Sequence, residues 1–160
     1  MPLFAYAVRL SLTGNGIFGY VTGIDEKTTA VVRFGMYGTS VGTQDLTVEF
    51  VVKRLGGVPT GGTEYTPVEI GKFDLTNPDP EAVVKFFTVA PTGSGAVNMF
   101  ATRMWWPLGS RGASEPVVYT PDERILLQSS TEVLAFDLRD VTQPVDVSIN
   151  LLILEGGAAL

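Results

Sequence analysis

The chain has 160 residues, of which 11 are basic and 17 are acidic, giving a formal net charge of −6. It contains no cysteine and no histidine, which excludes disulfides, thiolate nucleophiles, zinc sites built on Cys or His, and imidazole acid–base catalysis. The acidic balance argues against a nucleic-acid-binding protein, because phosphate contacts require clustered Lys and Arg.

Apolar residues make up 45% of the sequence, a high share for a chain of this length. No apolar run reaches the roughly 18 residues that a membrane span requires, and the first residues lack the charged start and cleavage site of a signal peptide. A domain of about 150 residues buries roughly 68–70% of its unfolded surface, and further apolar content often lies between subunits. We therefore expect an oligomer, with an unusually hydrophobic monomer as the alternative.

Alternation of apolar and polar residues with a period of two dominates the sequence and predicts β-strands. It is clearest at residues 4–12, 46–55 and 145–153. In the second of these segments one face is apolar, and the other carries Glu49 and Lys53. The other predicted strands are residues 17–22, 29–37, 67–70, 83–89, 97–106, 116–119, 124–128 and 132–138.

Segments rich in glycine and proline separate these strands and predict tight turns, at residues 13–16, 38–40, 56–62 and 91–95. No segment has helical periodicity over three turns, and at most residues 79–84 could form a single helical turn. About ten or eleven short strands separated by turns predict an all-β fold, namely an antiparallel β-sandwich or jelly roll.

The domain organisation is predicted from the same pattern. Residues 1–27 form either a first strand or hairpin or an arm that docks on a partner, since a charged link ends this segment. Residues 28–155 form the sandwich. Residues 156–160 are small and glycine-rich, and we expect them to be a flexible tail.

Gly14, Gly16 and Gly19 have the spacing G-x-G-x-x-G, which in dinucleotide-binding folds lies between a strand and a helix. The residues at 17–23 are poor helix formers, because they include β-branched residues, Gly19 itself and a further glycine, Gly23. We therefore interpret the triplet as a β-turn followed by another strand.

Several carboxylates are candidates for a chemical site. Four residues with side-chain oxygens cluster around two prolines at a spacing that could hold Ca²⁺: Asp74, Asn77, Asp79 and Glu81. The favoured interpretation is that they are solvated acids of a loop. Two further sets could form a glycosidase pair, but sequence cannot place them across a cleft: Asp122 with Glu123, and Asp45 with Glu49. We predict no catalytic, cofactor-binding or metal-binding residue, so that a hydrolase is only the third hypothesis.

Trp105 and Trp106 end a long predicted strand and are followed by a proline. Neighbouring side chains on a strand face opposite ways, so one indole is expected in the core and the other at a partner, a subunit contact or a ligand. Packing is the favoured interpretation, and stacking on a sugar is the alternative. Arg103 and Arg111 lie nearby in sequence and could donate hydrogen bonds to an interface.

From the third strand onward the order of motifs resembles a known family. The motifs are LTVEFVVKR at 46–54, GGT at 61–63, TPV at 66–68, PEA at 80–82, PTG at 91–93, EPVV at 115–118, PDE at 121–123 and VDVSINL at 145–151. This order resembles the small jelly-roll structural proteins of tailed bacteriophages, which serve as capsid decoration (cement) proteins, head fibres or tail-associated proteins. The resemblance covers residues 28–155.

The resemblance implies a homotrimeric jelly roll in a virion. Its expected function is that of a capsid decoration protein, which binds the major capsid protein on the outer shell and stabilises it by bridging subunits, without enzymatic activity. The alternative is a tail- or fibre-associated module that binds a host receptor or carbohydrate. The expected contact residues are large aromatics on edge or terminal strands: Phe4, Tyr6, Trp105, Trp106 and Tyr119.

Overall fold

A computed structural model describes residues 2–38, 46–66, 68–93, 97–108 and 116–158. All regular secondary structure within these ranges is β-strand. The strands are β1 (Leu3–Leu12), β2 (Gly16–Thr22), β3 (Lys27–Gly38), β4 (Leu46–Leu55), β5 (Thr63–Glu64), β6 (Glu69–Lys72), β7 (Val84–Val89), β8 (Val97–Leu108), β9 (Val117–Val118), β10 (Leu126–Leu127), β11 (Val133–Arg139) and β12 (Val145–Ala158).

The predicted strands are confirmed, with small shifts of their ends. The strand expected at residues 67–70 forms at Glu69–Lys72, and the short strand Thr63–Glu64 was not predicted. The helical turn considered at residues 79–84 is absent, because residues 78–83 are irregular and β7 begins at Val84. Two prolines in that segment remove backbone donors that a helical turn would need.

The strands form two antiparallel sheets of six strands each, consistent with the predicted β-sandwich. Sheet A has the order β10-β3-β12-β1-β6, with β9 also pairing with β3. Sheet B has the order β5-β7-β2-β11-β4-β8. Both sheets contain strands from the beginning and the end of the chain, so neither could form before most of the chain is present.

The pairing of strands is nested along the chain. The first strand pairs with the last, β1 with β12, and the second with the one before it, β2 with β11. Further inward, β3 pairs with β9 and β10, and β4 pairs with β8. The two sheets are then completed by the pairs β12 with β3 and β11 with β4. The strands β5, β6 and β7, which lie between β4 and β8 in sequence, only extend sheet edges.

The core lies between the two sheets and contains the apolar faces that the alternation predicted. Rings from both sheets stack at its centre: the ring centroid of Phe34 on β3 lies 4.8 Å from that of Phe50 on β4 and 4.7 Å from that of Phe136 on β11. Phe18 on β2 packs against the same three rings. Offset aromatic pairs of this kind add about 0.5–1.5 kcal/mol to area burial, so this stack fixes how the sheets pack together.

The first 27 residues are not an arm. β1 lies between β12 and β6 in sheet A, and β2 lies between β11 and β7 in sheet B, so the two strands do not form a hairpin with each other. The predicted tail is also part of the sheet as far as Ala158, which pairs with Lys27. Residues 159 and 160 lie outside the described residues.

The glycine triplet belongs to a turn and a strand, as predicted. β2 begins at Gly16, and its pairing with β11 shifts register so that Phe136 opposes Gly19 while Asp137 opposes Ile17. A Cβ atom on Gly19 would lie 2.7 Å from the Phe86 ring. This glycine is required for the close packing of that ring on the strand, and no phosphate-binding helix follows it within the described residues.

The outward face of sheet B is also buried, which the sequence did not indicate. A second apolar cluster lies there, formed by Ile17, Tyr20, Leu55, Phe87, Val133 and Ala135. The polar face of β4 joins it: Val51 is fully buried, and Glu49 and Lys53 are only 9% and 8% exposed. Sheet B is therefore covered on both faces.

Candidate functional site

Two of the five predicted contact residues are core residues. Phe4 and Tyr6 are 1% and 3% exposed and belong to the cluster between the sheets. The prediction that they contact a partner rested on their being large aromatics on an edge or terminal strand, and the structure buries them instead. β1 is instead paired on both sides, and its aromatic face is turned toward sheet B.

The backbone register pairs the two tryptophans of β8 with consecutive residues of β4. Trp106 pairs with Val48, and Trp105 pairs with Glu49. The side chains of both tryptophans and of Arg103, and all of Arg111, lie outside the described residues. Tyr119 is half-buried against the core and its N–H donates to the Val32 carbonyl at 2.9 Å.

The two most exposed large apolar side chains of the described chain, Leu75 and Phe73, lie on the turn that follows β6. They are 87% and 64% exposed, and Ile70 on β6 is 52% exposed. Val118 and Val89, on other strands, are 59% and 56% exposed. We call residues 70–77 the apolar turn. It stays attached to sheet A, since the Phe73 N–H donates to the Leu3 carbonyl at 3.4 Å. Contiguous exposed apolar side chains usually mark an interaction site, whereas single ones need no explanation.

Hydrogen bonds hold the apolar turn in one conformation. The Asp74 carboxylate accepts from the backbone N–H of Thr76 at 2.9 Å and from its hydroxyl at 2.7 Å. The Asn77 N–H donates to the Asp74 carbonyl at 3.1 Å. Lys72 Nζ donates to the Asn77 carbonyl at 3.1 Å and forms an ion pair with Asp79 at 2.6 Å. Phe73 and Leu75 are thus presented on a preorganised turn, which reduces the entropy lost on binding.

The carboxylates considered as a calcium site are held by protein groups. The two hydrogen bonds from Thr76 lower the pKa of Asp74, and the hydrogen bond and charge of Lys72 lower that of Asp79. Glu81 pairs with Lys27. Among the described residues, no group of three or more Asp and Glu side chains is arranged to hold a metal ion. The apolar turn is therefore flanked by ionised carboxylates that already have partners.

A cavity of about 370 Å³ lies beside the apolar turn, between the start of β1, the turn before β3 and the end of β12. Glu155 lines it and is only 5% exposed. Its carboxylate accepts from the backbone N–H groups of Glu81 and Ala82 at 2.9 and 3.0 Å. Burial raises the pKa of Glu155 more than these bonds lower it. Glu155 thereby fixes the loop that leads from the apolar turn to β7.

The candidate glycosidase carboxylates are not brought together as a facing pair in the described chain. Glu123 accepts from the backbone N–H and the hydroxyl of Thr120, at 3.2 and 2.8 Å, within one exposed turn that also contains Asp122. These bonds lower the pKa of Glu123. Glu49 is buried on β4, and its proposed partner Asp45 lies outside the described residues.

Comparison of the chain with known protein families, with curated proteins and with solved structures found no match. No helix in the described ranges is long and apolar enough to cross a membrane. The candidate site consequently rests on the geometry of the apolar turn.

Sequence reasoning assigned this segment to loop acids and overlooked its apolar residues. Phe73 and Leu75 alternate with polar residues, as they would in a strand. The two prolines that follow, and the Asp-x-Thr pattern that forms the turn, are the local signals that separate this segment from a buried strand.

Proposed function

We propose that the chain is a jelly roll. The nested strand pairing supports this assignment, since a jelly roll is a long antiparallel hairpin of eight strands wrapped into two sheets. In this chain the eight strands would be β1, β2, β3, β4, β8, the β9–β10 segment, β11 and β12. The excursion that forms β5, β6 and β7 would be an insertion that carries the apolar turn.

We further propose a non-enzymatic structural role in a virion, as a decoration protein that binds the outer capsid shell. The observation that carries the proposal is the apolar turn: Ile70, Phe73 and Leu75 are exposed on a turn that hydrogen bonds keep rigid. A catalytic protein would need a polar constellation instead. A protein that acts by burying its surface against a partner needs exposed apolar side chains, and this turn has them.

The proposed mechanism is burial of this turn in a pocket of the major capsid protein. Burying a Phe or Leu side chain is worth about 1.5–3 kcal/mol each. Three turns on one trimer would add avidity without new contacts. Because such a protein binds the assembled lattice and not the dissociated subunits, it would stabilise the shell by mass action.

The proposal is tested with the purified chain and purified capsid shells of the virus that encodes it, prepared without this protein. We expect a trimer in sedimentation, binding to shells, and a higher melting temperature of decorated shells. Leu75→Ser should weaken shell binding at least tenfold, corresponding to about 1.4 kcal/mol. The matched control is Val58→Ser, which alters an exposed apolar residue outside the apolar turn.

Two outcomes would contradict the proposal. Shell binding that is equal in the Leu75→Ser and Val58→Ser variants would remove the apolar turn from the interface. Failure to bind shells, together with quenching of tryptophan fluorescence by glycans, would favour the carbohydrate-binding tail or fibre module instead.

A further inference from the structure

A buried ion pair joins the neighbouring strands β4 and β11 on the outward face of sheet B. Lys53 Nζ lies 2.8 Å from Asp137 Oδ2, and the side chains are only 11% and 6% exposed. Val51 and Ala135, which pair directly with Asp137 and Lys53 in the register, are fully buried. The amine and the carboxylate therefore meet where water has little access.

This ion pair is incompletely satisfied. Among the described residues, the second carboxylate oxygen of Asp137, Oδ1, is buried and has no hydrogen-bond partner. Removing two charges from water is costly, and a lone buried acceptor adds to that cost. Condensation of the two groups to an amide would eliminate both charges and one of the two buried oxygens.

We propose that Lys53 and Asp137 form an intramolecular isopeptide bond that joins β4 to β11 covalently. A proton that moves along the contact from Nζ to Oδ2 leaves an uncharged amine and a carboxylic acid. The Nζ lone pair attacks Cγ, one C–O bond breaks, and the departing hydroxyl takes a proton from nitrogen and leaves as water. An ammonium and a carboxylate thus become an amide and one water molecule, with no oxidant or cofactor.

No activating group is attached to the carboxylic acid in this reaction, and the rate comes instead from the fixed positions of Lys53 and Asp137. Groups held in contact on rigid elements reach effective concentrations of about 10⁵–10⁸ M. Arg139 Nε lies 3.6 Å from Asp137 Oδ2. This cation stabilises the ionised carboxylate before the reaction.

Glu49 is a further buried carboxylate on the outward face of sheet B. It is buried on the same face of β4 as Lys53 and pairs with Arg139, two residues along the register from the pair of Val51 with Asp137. A diagonal neighbour in a sheet is within reach of a long side chain. We assign Glu49 the transfer of a proton from the attacking nitrogen to the departing hydroxyl.

The test is the intact mass of the purified full-length chain under denaturing conditions, where an ion pair does not survive. We expect the wild-type mass to be lower than the sequence mass by one water molecule, and digestion to yield a branched peptide that joins residues 53 and 137. Lys53→Arg should have its full sequence mass. Asp137→Asn should lose ammonia instead of water, so that its product and the wild-type product have the same mass.

A wild-type chain at its full sequence mass overturns the proposal, whatever the variants show. Loss of water in Lys53→Arg as well would overturn it too, because the water would then come from another site. Cooperative unfolding of Lys53→Arg confirms that its unreacted mass is not due to misfolding. In chains sampled at intervals after synthesis, Glu49→Gln should react on the order of a hundredfold more slowly, and equal rates would overturn the role of Glu49.

Discussion

Two regions of this molecule reverse the usual distribution of side chains. On the outward face of sheet B, charged residues are buried: Lys53 and Asp137 lie among apolar neighbours. At the edge of sheet A the opposite holds, since Phe73 and Leu75 are exposed on a turn held by hydrogen bonds. Buried charge must be paired, and exposed apolar surface usually has a partner. The first region should therefore determine stability, and the second should determine binding.

The largest expected effect comes from removing Asp137. Asp137→Ala leaves the Lys53 ammonium buried with no group to pair or condense with, which should lower the free energy of unfolding by at least about 3–5 kcal/mol. Urea denaturation measures it. The control is Asp122→Ala in an exposed turn, where a change within about 0.5 kcal/mol is expected. Equal losses in the two variants would mean that burial of Asp137 has no special role.

Glu155 is a buried carboxylate whose hydrogen-bond donors are backbone N–H groups, whereas Asp137 is paired with a cation. Its pKa is raised by burial, so the folded protein binds this proton more tightly than the unfolded chain. The ionised form therefore lowers stability above the folded pKa. The free energy of unfolding should therefore rise as the pH falls from the pKa of Glu155 in the folded protein toward its ordinary value of 4.5.

Glu155→Gln should remove this pH dependence of the unfolding free energy. Urea denaturation of wild type and variant across that pH window measures the difference, and parallel curves would contradict the assignment. At lower pH the sign reverses for the acids with lowered pKa, which lose stability as they are protonated. These are Asp25, Asp74, Asp79 and Glu123.

Changes in the apolar turn should affect stability little. Phe73→Ser and Leu75→Ser each remove an exposed side chain, so the free energy of unfolding should change by no more than about 0.5 kcal/mol. Phe34→Ala, a buried ring of the core stack, should lower it by about 3–5 kcal/mol. Thermal denaturation of the three variants makes this comparison. A large loss in Leu75→Ser would show that this side chain is packed rather than presented.

The smallest effect is expected at the ion pair beside the apolar turn. Lys72→Gln removes the contact with Asp79, whose side chain is 89% exposed, so the melting temperature should hardly change. Hydrogen exchange at the amides of Thr76 and Asn77 should nevertheless become faster, because Lys72 also donates to the Asn77 carbonyl. Unchanged exchange would show that Asp74 alone orders the turn.

The candidate site was less predictable than the fold. The aromatics chosen from sequence included Phe4 and Tyr6, which are core residues, while Phe73 and Leu75 were not considered. The sequence does not show whether an apolar residue lies on an internal strand or on an exposed turn. The difference depends on β6 and β12, which flank β1 from distant parts of the chain. The assignments of Trp105, Trp106 and Tyr119 as contact residues stay predictions.

By itself the sequence determined that this chain is built of strands and where most of them lie. Alternation with a period of two is a local property, and glycine and proline mark turns through their own backbone geometry. Only the tertiary structure decided which strands are internal, that the polar face of β4 is buried, and that Lys53 meets Asp137, 84 residues away. Burial and contact are set by strands that come together from opposite ends of the chain, and no local pattern records them.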